Sequence, residues 1–173
     1  MADGQEVIRT ERLRLRHLEQ RDFDELYSMF QDPLVMRYYP ALKNREDTLS
    51  WLAWVFAAYA HAGHGLFAVE RASDGAFLGQ CGLTPQVVDG EQLVEIGYLF
   101  KSKHWHRGYA SEAAAGCRDH GFAVLRLPRL ISLIRPENRP SRAVAERVGM
   151  TVDRSVEWRS VPHLVYAMDS PSR

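Results

Sequence analysis

The sequence predicts an α+β layer fold, and three observations carry that expectation. Its elements read in the order β-α-α-β-β-β-α-β-α-β-β, with one crossover helix and no alternating βαβα ladder. Neighbouring strands are joined by short turn signals, Ser73-Asp74-Gly75 and Asp89-Gly90, the second a strong two-residue hairpin signature. The 173 residues, 46% of them hydrophobic, supply one sizeable core and no surplus for a second. Residues 1–173 are therefore read as one domain, with residues 1–6 disordered.

Each element has a local reason. From Arg12 to Leu18, Leu13 and Leu15 alternate with Arg14 and Arg16, as in a half-buried strand. From Gln20 to Gln31, Phe23, Leu26, Tyr27 and Phe30 recur at helical spacing, and Asp32-Pro33 ends the helix because a residue before proline avoids the α region. Asn44 to Ala62 reads as a second helix, with Asn44 or Asp47 as its cap and Gly63 and Gly65 as its stop. Trp51, Trp54, Phe56 and Tyr59 on that helix read as core. Strands follow at Leu66–Glu70, Phe77–Thr84 and Leu93–Phe100, then a helix running to about Val124. A strand at Leu130–Ile134, a helix at Ser141–Val148 stopped by Gly149, and strands at Thr151–Trp158 and His163–Met168 close the chain.

Composition excludes several functions. Lys plus Arg equals Asp plus Glu, so the net charge is zero, with a pI near 7.1; a broad basic face for nucleic acid is not expected. The N-terminus has no apolar core of a signal peptide, and the most apolar run, Trp51 to Ala62, is too short to cross a bilayer. Cys81 and Cys117 form no CxxC pair and read as reduced, buried thiols of a cytoplasmic protein. No metal is expected.

The stretch Lys101 to Ala115, KSKHWHRGYASEAAA, carries the chemistry. There is no GxxxxGK[ST] and no GxGxxG followed by an acidic residue. Yet a strand ends, a basic loop follows, and a helix starts at Tyr109 or Ala110, whose first amides lack partners and whose dipole favours an anion. Gly108 admits a ligand without a Cβ in the way, and Lys101, Lys103 and Arg107 add charge at the rim. Ala110, Ala113, Ala114, Cys117 and Gly121 form a small-residue stripe that lets the helix sit close to a sheet. Upstream, Gly97 lies inside a strand, where glycine marks a bulge or a close approach. Downstream, Asn138 and Ser141 stand at the entry to the next helix, where either can be an ordinary cap.

Three segments in order, EIGYLF, WHRGYASEA and ENRPSRAVAERVGM, resemble the acetyl-CoA site of the GNAT N-acetyltransferases, and more narrowly the branch containing the ribosomal-protein N-terminal acetyltransferases. The likeness spans about Val7 to Met168, including ERLRLRHL and HLVYAM. Each segment alone is a weak signal; three in order at suitable spacing are a strong one. The resemblance implies a mixed, mostly antiparallel sheet flanked by helices, with the cofactor in a cleft between the two central parallel strands. It implies that Ile96, Gly97, Tyr98, Leu99 and Phe100 pair with the pantetheine amides. Trp105, His106, Arg107, Gly108, Tyr109 and Ala110 would cradle the pyrophosphate, with Ser111 in the first helical turn. Asn138 would hold the pantetheine arm and Ser141 would lie near the thiol. Two departures stand out: Trp105 occupies a place often held by Gln or Arg, and Ala145 stands where many members carry an acid tyrosine.

Acyl transfer to an amine requires a base, a site for the oxyanion and a partner for the leaving thiolate. Glu95 is the first choice of base, followed by Glu157 and His163, with an ion-paired strand carboxylate as the alternative reading of Glu95. A strand amide near Tyr98 or Leu99 would serve the oxyanion, and Ser141 the thiolate. Tyr38 and Tyr39, with Arg37, and Glu157 and Trp158, with Arg159, are expected to line the acceptor pocket. Three classes remain open: an Nα-acetyltransferase of peptides, an acetyltransferase of small amines, amino acids or an antibiotic, and a non-catalytic acyl-CoA-binding domain. A monomer or homodimer is expected, with no nucleic acid or membrane partner.

Overall fold

A computed structural model describes residues 4–171. The elements are β1 (Glu6–Arg9), β2 (Leu13–His17), α1 (Phe23–Phe30), α2 (Arg45–Ala62), β3 (Leu66–Arg71), β4 (Phe77–Val88), β5 (Glu91–Phe100), α3 (Tyr109–Ala123), β6 (Arg129–Ile134), α4 (Arg139–Arg147), β7 (Thr151–Trp158) and β8 (Val161–Asp169). They form an α+β fold around an eight-stranded sheet in the order β1-β2-β3-β4-β5-β6-β8-β7. Every neighbouring pair is antiparallel except β5 and β6. Short hairpins make the β1–β2, β3–β4, β4–β5 and β7–β8 pairs antiparallel, β2–β3 and β6–β8 are antiparallel across longer connections, and α3 crosses over the sheet between β5 and β6 and makes that pair parallel.

Helices cover both faces. On one, Ala113, Ala114, Cys117 and Gly121 of α3 are buried, and α3 packs with Val144 and Ala145 over Leu15, Val69, Leu83 and Ile96. On the other, Leu26, Met29 and Phe30 of α1 join Leu52 and Val55 of α2 over Leu66, Ala68 and Phe77. Asn44 caps α2 by accepting the Asp47 amide at 2.8 Å, and Gly63 ends the helix at φ 72°.

Four differences from the sequence reading have physical reasons. A first strand, β1, was not foreseen; it begins at Glu6, one of the residues expected to be disordered, while residues 1–3 lie outside the described residues. The first helix opens as a 3₁₀ turn over Gln20–Asp22, because the buried Asp22 carboxylate turns back to accept the Glu19 amide and the Arg16 guanidinium. Strand β4 does not stop before Pro85 but continues to Val88. Its partner there is Val94, and along β5 the carbonyl of Ile96 points away from β4 toward β6, so by alternation Val94 makes no ladder bond to Pro85 and the missing N–H costs nothing. Finally, of the two readings of Gly97, a bulge or a close approach, the bulge is absent: the β4–β5 register runs without a shift from Gly79↔Phe100 to Val88↔Glu91.

Candidate active site

An opening lies on the side of β5 that faces β6. Parallel β5 and β6 share the single registered pair Glu95↔Ile131 and then part. Side chains stitch the fork where main-chain pairing fails. The Ser132 hydroxyl donates to the Ile96 carbonyl at 2.8 Å, and the Leu133 amide donates to Glu95 Oε1 at 3.2 Å. Since Ile96 faces β6, alternation turns the amide and carbonyl of Tyr98 into the gap, while those of Gly97 and Leu99 face β4. Of the two amides considered for the oxyanion, Tyr98 is the one that the gap exposes. Its phenol donates to the Ser141 carbonyl at 2.7 Å and ties β5 to the first turn of α4.

The gap opens into a cleft of about 580 Å³. Of the residues singled out by sequence, Ile96, Gly97, Tyr98 and Leu99 line it from β5, Asn138 and Ser141 from the entry to α4, and Tyr38, Tyr39, Trp158 and His163 from the surrounding loops and hairpin. Glu95 sits in its wall. Burial pushes the Glu95 carboxyl up from the usual 4.5 to about 7, against the hydrogen bonds from Leu133 and Gln86 (Nε2 to Oε2, 2.8 Å) and the Arg159 charge. Tyr39 keeps 40% of its surface exposed, yet desolvation in the cleft and the nearby Glu95 charge push its phenol up to about 12. Asn138 is a cap, accepting the Ser141 amide at 3.2 Å. Ser141 is the residue being capped, which leaves its Oγ without a protein hydrogen bond among the described residues.

Other expected residues fall elsewhere. Glu157 is exposed and absent from the cleft lining, because it neighbours the cleft-lining Trp158 on β7 and successive strand residues face opposite ways. Arg37 is likewise exposed and stacks on Tyr38 outside the lining, 5.5 Å from its centroid. Phe100 is buried, and its carbonyl accepts Trp105 Nε1 at 2.9 Å.

Beyond the end of β5, the basic loop leads into α3. His106 has φ 60° and Gly108 φ 79°. Gly108 is the N-cap, its carbonyl accepts the Glu112 amide at 3.0 Å, and no side chain caps the helix. The amides of Tyr109, Ala110 and Ser111 therefore lack helical partners. Lys101 pairs with Glu25 and is not a free rim charge; Lys103 and Arg107 are exposed. A cation not foreseen is Arg12, which donates to the Arg107 carbonyl at 2.9 Å, pairs with Glu112 at 2.7 Å and lies 4.8 Å over the Tyr109 ring. Glu112 thus carries its counter-charge with it into the first turn of α3.

Sequence reasoning also missed cleft residues. Trp51 and Trp54, assigned to the core, line the cleft; Trp54 is 39% exposed, and Trp51 Nε1 donates to Gln80 Oε1 at 3.1 Å. Gln80, Thr84 and Gln86 line it from β4. Their even spacing was the available signal, because from Gln80 on the even positions face the cleft while Cys81 and Leu83 face α3. The two thiols lie 3.6 Å apart, both free and buried.

Comparison with known proteins gives the family and the fold. Residues 12–151 match the family model described as an acetyltransferase (GNAT) domain. The uncharacterized protein YkkB of Bacillus subtilis (strain 168) is 40% identical over 162 residues, covering 93% of this chain and 94% of that one. The crystal structure of an acetyltransferase from Agrobacterium tumefaciens str. C58 has a TM-score of 0.83 at 32% identity, covering 97% and 96% of the two chains. The fold is also that of Mycobacterium smegmatis RimJ in complex with CoA-disulfide, at a TM-score of 0.74 and 24% identity over 92% and 84% of the chains.

Proposed function

Because the chain belongs to the GNAT acetyltransferases, whose acyl donor is acetyl-CoA, we propose that it transfers acetyl directly to a primary amine in the fork between β5 and β6, with Glu95 as the base. The observation that carries this reading is the carboxylate of Glu95, pushed up to about 7, in the wall of the cleft where the two strands part.

The residues present fit the cofactor. A Cβ at Gly97 would meet only Leu66 Cδ2, at 3.6 Å, so space is open beside the strand. Tyr98 turns its amide and carbonyl into that space, where a pantetheine amide would find them. The free amides of α3 behind Gly108 suit a pyrophosphate, with Arg107 and Lys103 at its edge. Bound there, acetyl-CoA supplies an activated thioester whose acyl carbon exchanges its C–S bond for a C–N bond, with release of the thiol. Glu95 takes the proton that the amine loses; a base titrating near 7 is ionised often enough to accept it and still basic enough to be useful. The Tyr98 amide is aimed at negative charge developing on the carbonyl oxygen. Ser141 Oγ, which has no protein hydrogen bond among the described residues, is our choice to donate a hydrogen bond to the departing sulfur, a role that Ala145 cannot fill.

Two acceptors suit this site. The resemblance to the ribosomal-protein branch, and the fold shared with RimJ, support a peptide N-terminus. The aromatic walls of Tyr38, Tyr39, Trp51, Trp54 and Trp158 support a small amine. Two free, buried thiols support action in the reducing cytoplasm. Acetyl-CoA is expected to raise the Tm by mass action, and turnover is expected in a screen of peptides and amines. No thermal shift and no calorimetric heat at millimolar acetyl-CoA overturns the reading.

A further inference from the structure

The cations of the cleft are unequally partnered. Arg135 is held by Glu137 at 2.7 Å, and the Asp47 carboxylate is engaged by the Asn44 amide at 3.0 Å. Glu95 is held by Gln86 and Leu133. His163 Nδ1 lies 2.9 Å from the Val161 carbonyl. That leaves Lys43 and Arg159, neither of which has a carboxylate within 4 Å among the described residues. Both are laid on indole rings that line the same cleft: Lys43 Nζ lies 5.1 Å from the Trp51 centroid, and Arg159 Cζ lies 4.2 Å from that of Trp158. One comes from the approach to α2, the other from the β7–β8 hairpin, and both line the one cleft.

The hairpin shows that Arg159 is held there at a conformational cost. Trp158 pairs with Val161, so Arg159 and Ser160 are the whole turn, with φ of 50° and 60°. A two-residue turn with both φ positive favours Asn or Asp followed by Gly, and the β4–β5 hairpin of this chain uses Asp89-Gly90. Placing two ordinary side chains in the left-handed region costs about 1–2 kcal/mol each. The outlier lies at the mouth of the cleft, and its residue is the unpaired cation whose charge reaches Glu95. Trp158 beneath it is steadied edge-on by His163, with centroids 5.4 Å apart.

We propose that the acceptor is a small primary amine that also carries an anionic group, carboxylate or phosphate, and a flat apolar body. It rests on the reading of this cleft as the amine-acylating site. Lys43 and Arg159 grip the anion, Arg159 through its planar fork, and the indoles of Trp51 and Trp158 flank the body. The charge balance supplies specificity: an ammonium alone enters beside two uncompensated cations, whereas an amine bearing its own anion neutralises them. Dicationic amines are excluded for the same reason. A cleft of about 580 Å³ that must also admit the acyl arm leaves room for a molecule the size of an amino acid.

The test compares amines that differ only in the anion: phenylalanine against phenethylamine for a carboxylate, and O-phosphotyramine against tyramine for a phosphate, with spermidine and a neutral decapeptide as further acceptors. Wild-type enzyme with acetyl-CoA is expected to show kcat/KM at least about tenfold higher for the anionic member of one pair, and that pair identifies the anion. In Arg159→Gln and Lys43→Gln, checked for folding by circular dichroism, the ratio is expected to collapse toward one, while Arg159→Lys retains part of it. Quenching of tryptophan fluorescence by the same amines, in the presence of CoA, is expected to follow the same order without depending on turnover. Equal rates within both pairs, a ratio unchanged in both glutamine variants, or faster turnover of spermidine or the decapeptide overturns the inference while leaving acyl transfer intact. Acetyl-CoA binding without acetylation of any acceptor removes the transferase reading and this inference with it.

Discussion

Replacing Glu95 by glutamine separates its two roles, as base and as pin of the strand fork. The amide oxygen of Glu95→Gln can still accept the Leu133 N–H, and Gln86 can turn its own amide to meet the new NH₂, so the fork is expected to survive. What disappears is the charge. Burial raises the carboxyl from 4.5 to about 7 in the folded protein, so the protonated form favours the fold. The stability this group contributes is complete below about pH 4.5 and is lost as pH rises through 7. At 1.36 kcal/mol per pH unit the loss is about 3 kcal/mol at full ionisation, an upper bound because the side chain is only half-buried. At roughly 2–4 °C per kcal/mol for a chain of this size, the wild type is expected to lose on the order of 5–10 °C of Tm between pH 5 and 8 from this group. Glu95→Gln is expected to lack that component and to melt higher than wild type at pH 8. The same variant is expected to lose roughly 10²-fold or more in kcat/KM at pH 7, with partial recovery at high pH, where more of the amine is already neutral. Differential scanning calorimetry across pH and steady-state kinetics read the two effects in one preparation. A variant with wild-type turnover and a wild-type dependence of Tm on pH would refute both the burial of the charge and its use as a base.

Gln86→Leu removes a hydrogen bond that stabilises the Glu95 carboxylate, worth about 1.5–3 kcal/mol. The acidic limb of the pH–rate profile is expected to move up by roughly one to two units; an unmoved limb would show that Gln86 does not tune the base. Gly108→Ala places a Cβ at φ 79°, 3.3 Å from Arg12 Nη2, and is expected to weaken acetyl-CoA binding about tenfold by calorimetry; unchanged affinity would place the anion seat elsewhere. Ser141→Ala is expected to lower kcat more than cofactor affinity, since its Oγ is free to act only on the leaving group; Asn138→Ala should instead cost about 1 kcal/mol of stability through the lost cap. Asp22→Ala leaves Arg16, 3% exposed, with Glu70 as its remaining carboxylate beside the His17 carbonyl, and a loss of about 3 kcal/mol is expected in urea unfolding.

The elements were legible in the sequence because each rests on local causes. Helical spacing in Phe23–Phe30, the Asn44 cap, the Asp89-Gly90 turn and the small-residue face of α3 act over a few residues, and the structure shows each of them. The basic loop, Gly108 and the free first turn of α3 were readable for the same reason: a helix terminus is a local object. Where the reading stopped, the cause was non-local. Proline at position 85 looks like a strand end until its partner Val94 is known to make no ladder bond there. Glycine at position 97 suggests a bulge until the unbroken register with β4 and the parting of β6 are both in view. Trp51 and Trp54 share the helical spacing of core residues, and only the placement of α2 beside the gap makes them walls. Glu157 and Trp158 are neighbours in sequence that a strand sends to opposite faces. The sequence by itself determined the helices, the turns and every strand but β1, since propensity, capping and turn chemistry are properties of short segments. Tertiary structure alone decided that Glu95 is buried enough to titrate near 7 and that Lys43 and Arg159 converge on one cleft, since dielectric and charge depend on residues far apart in the chain.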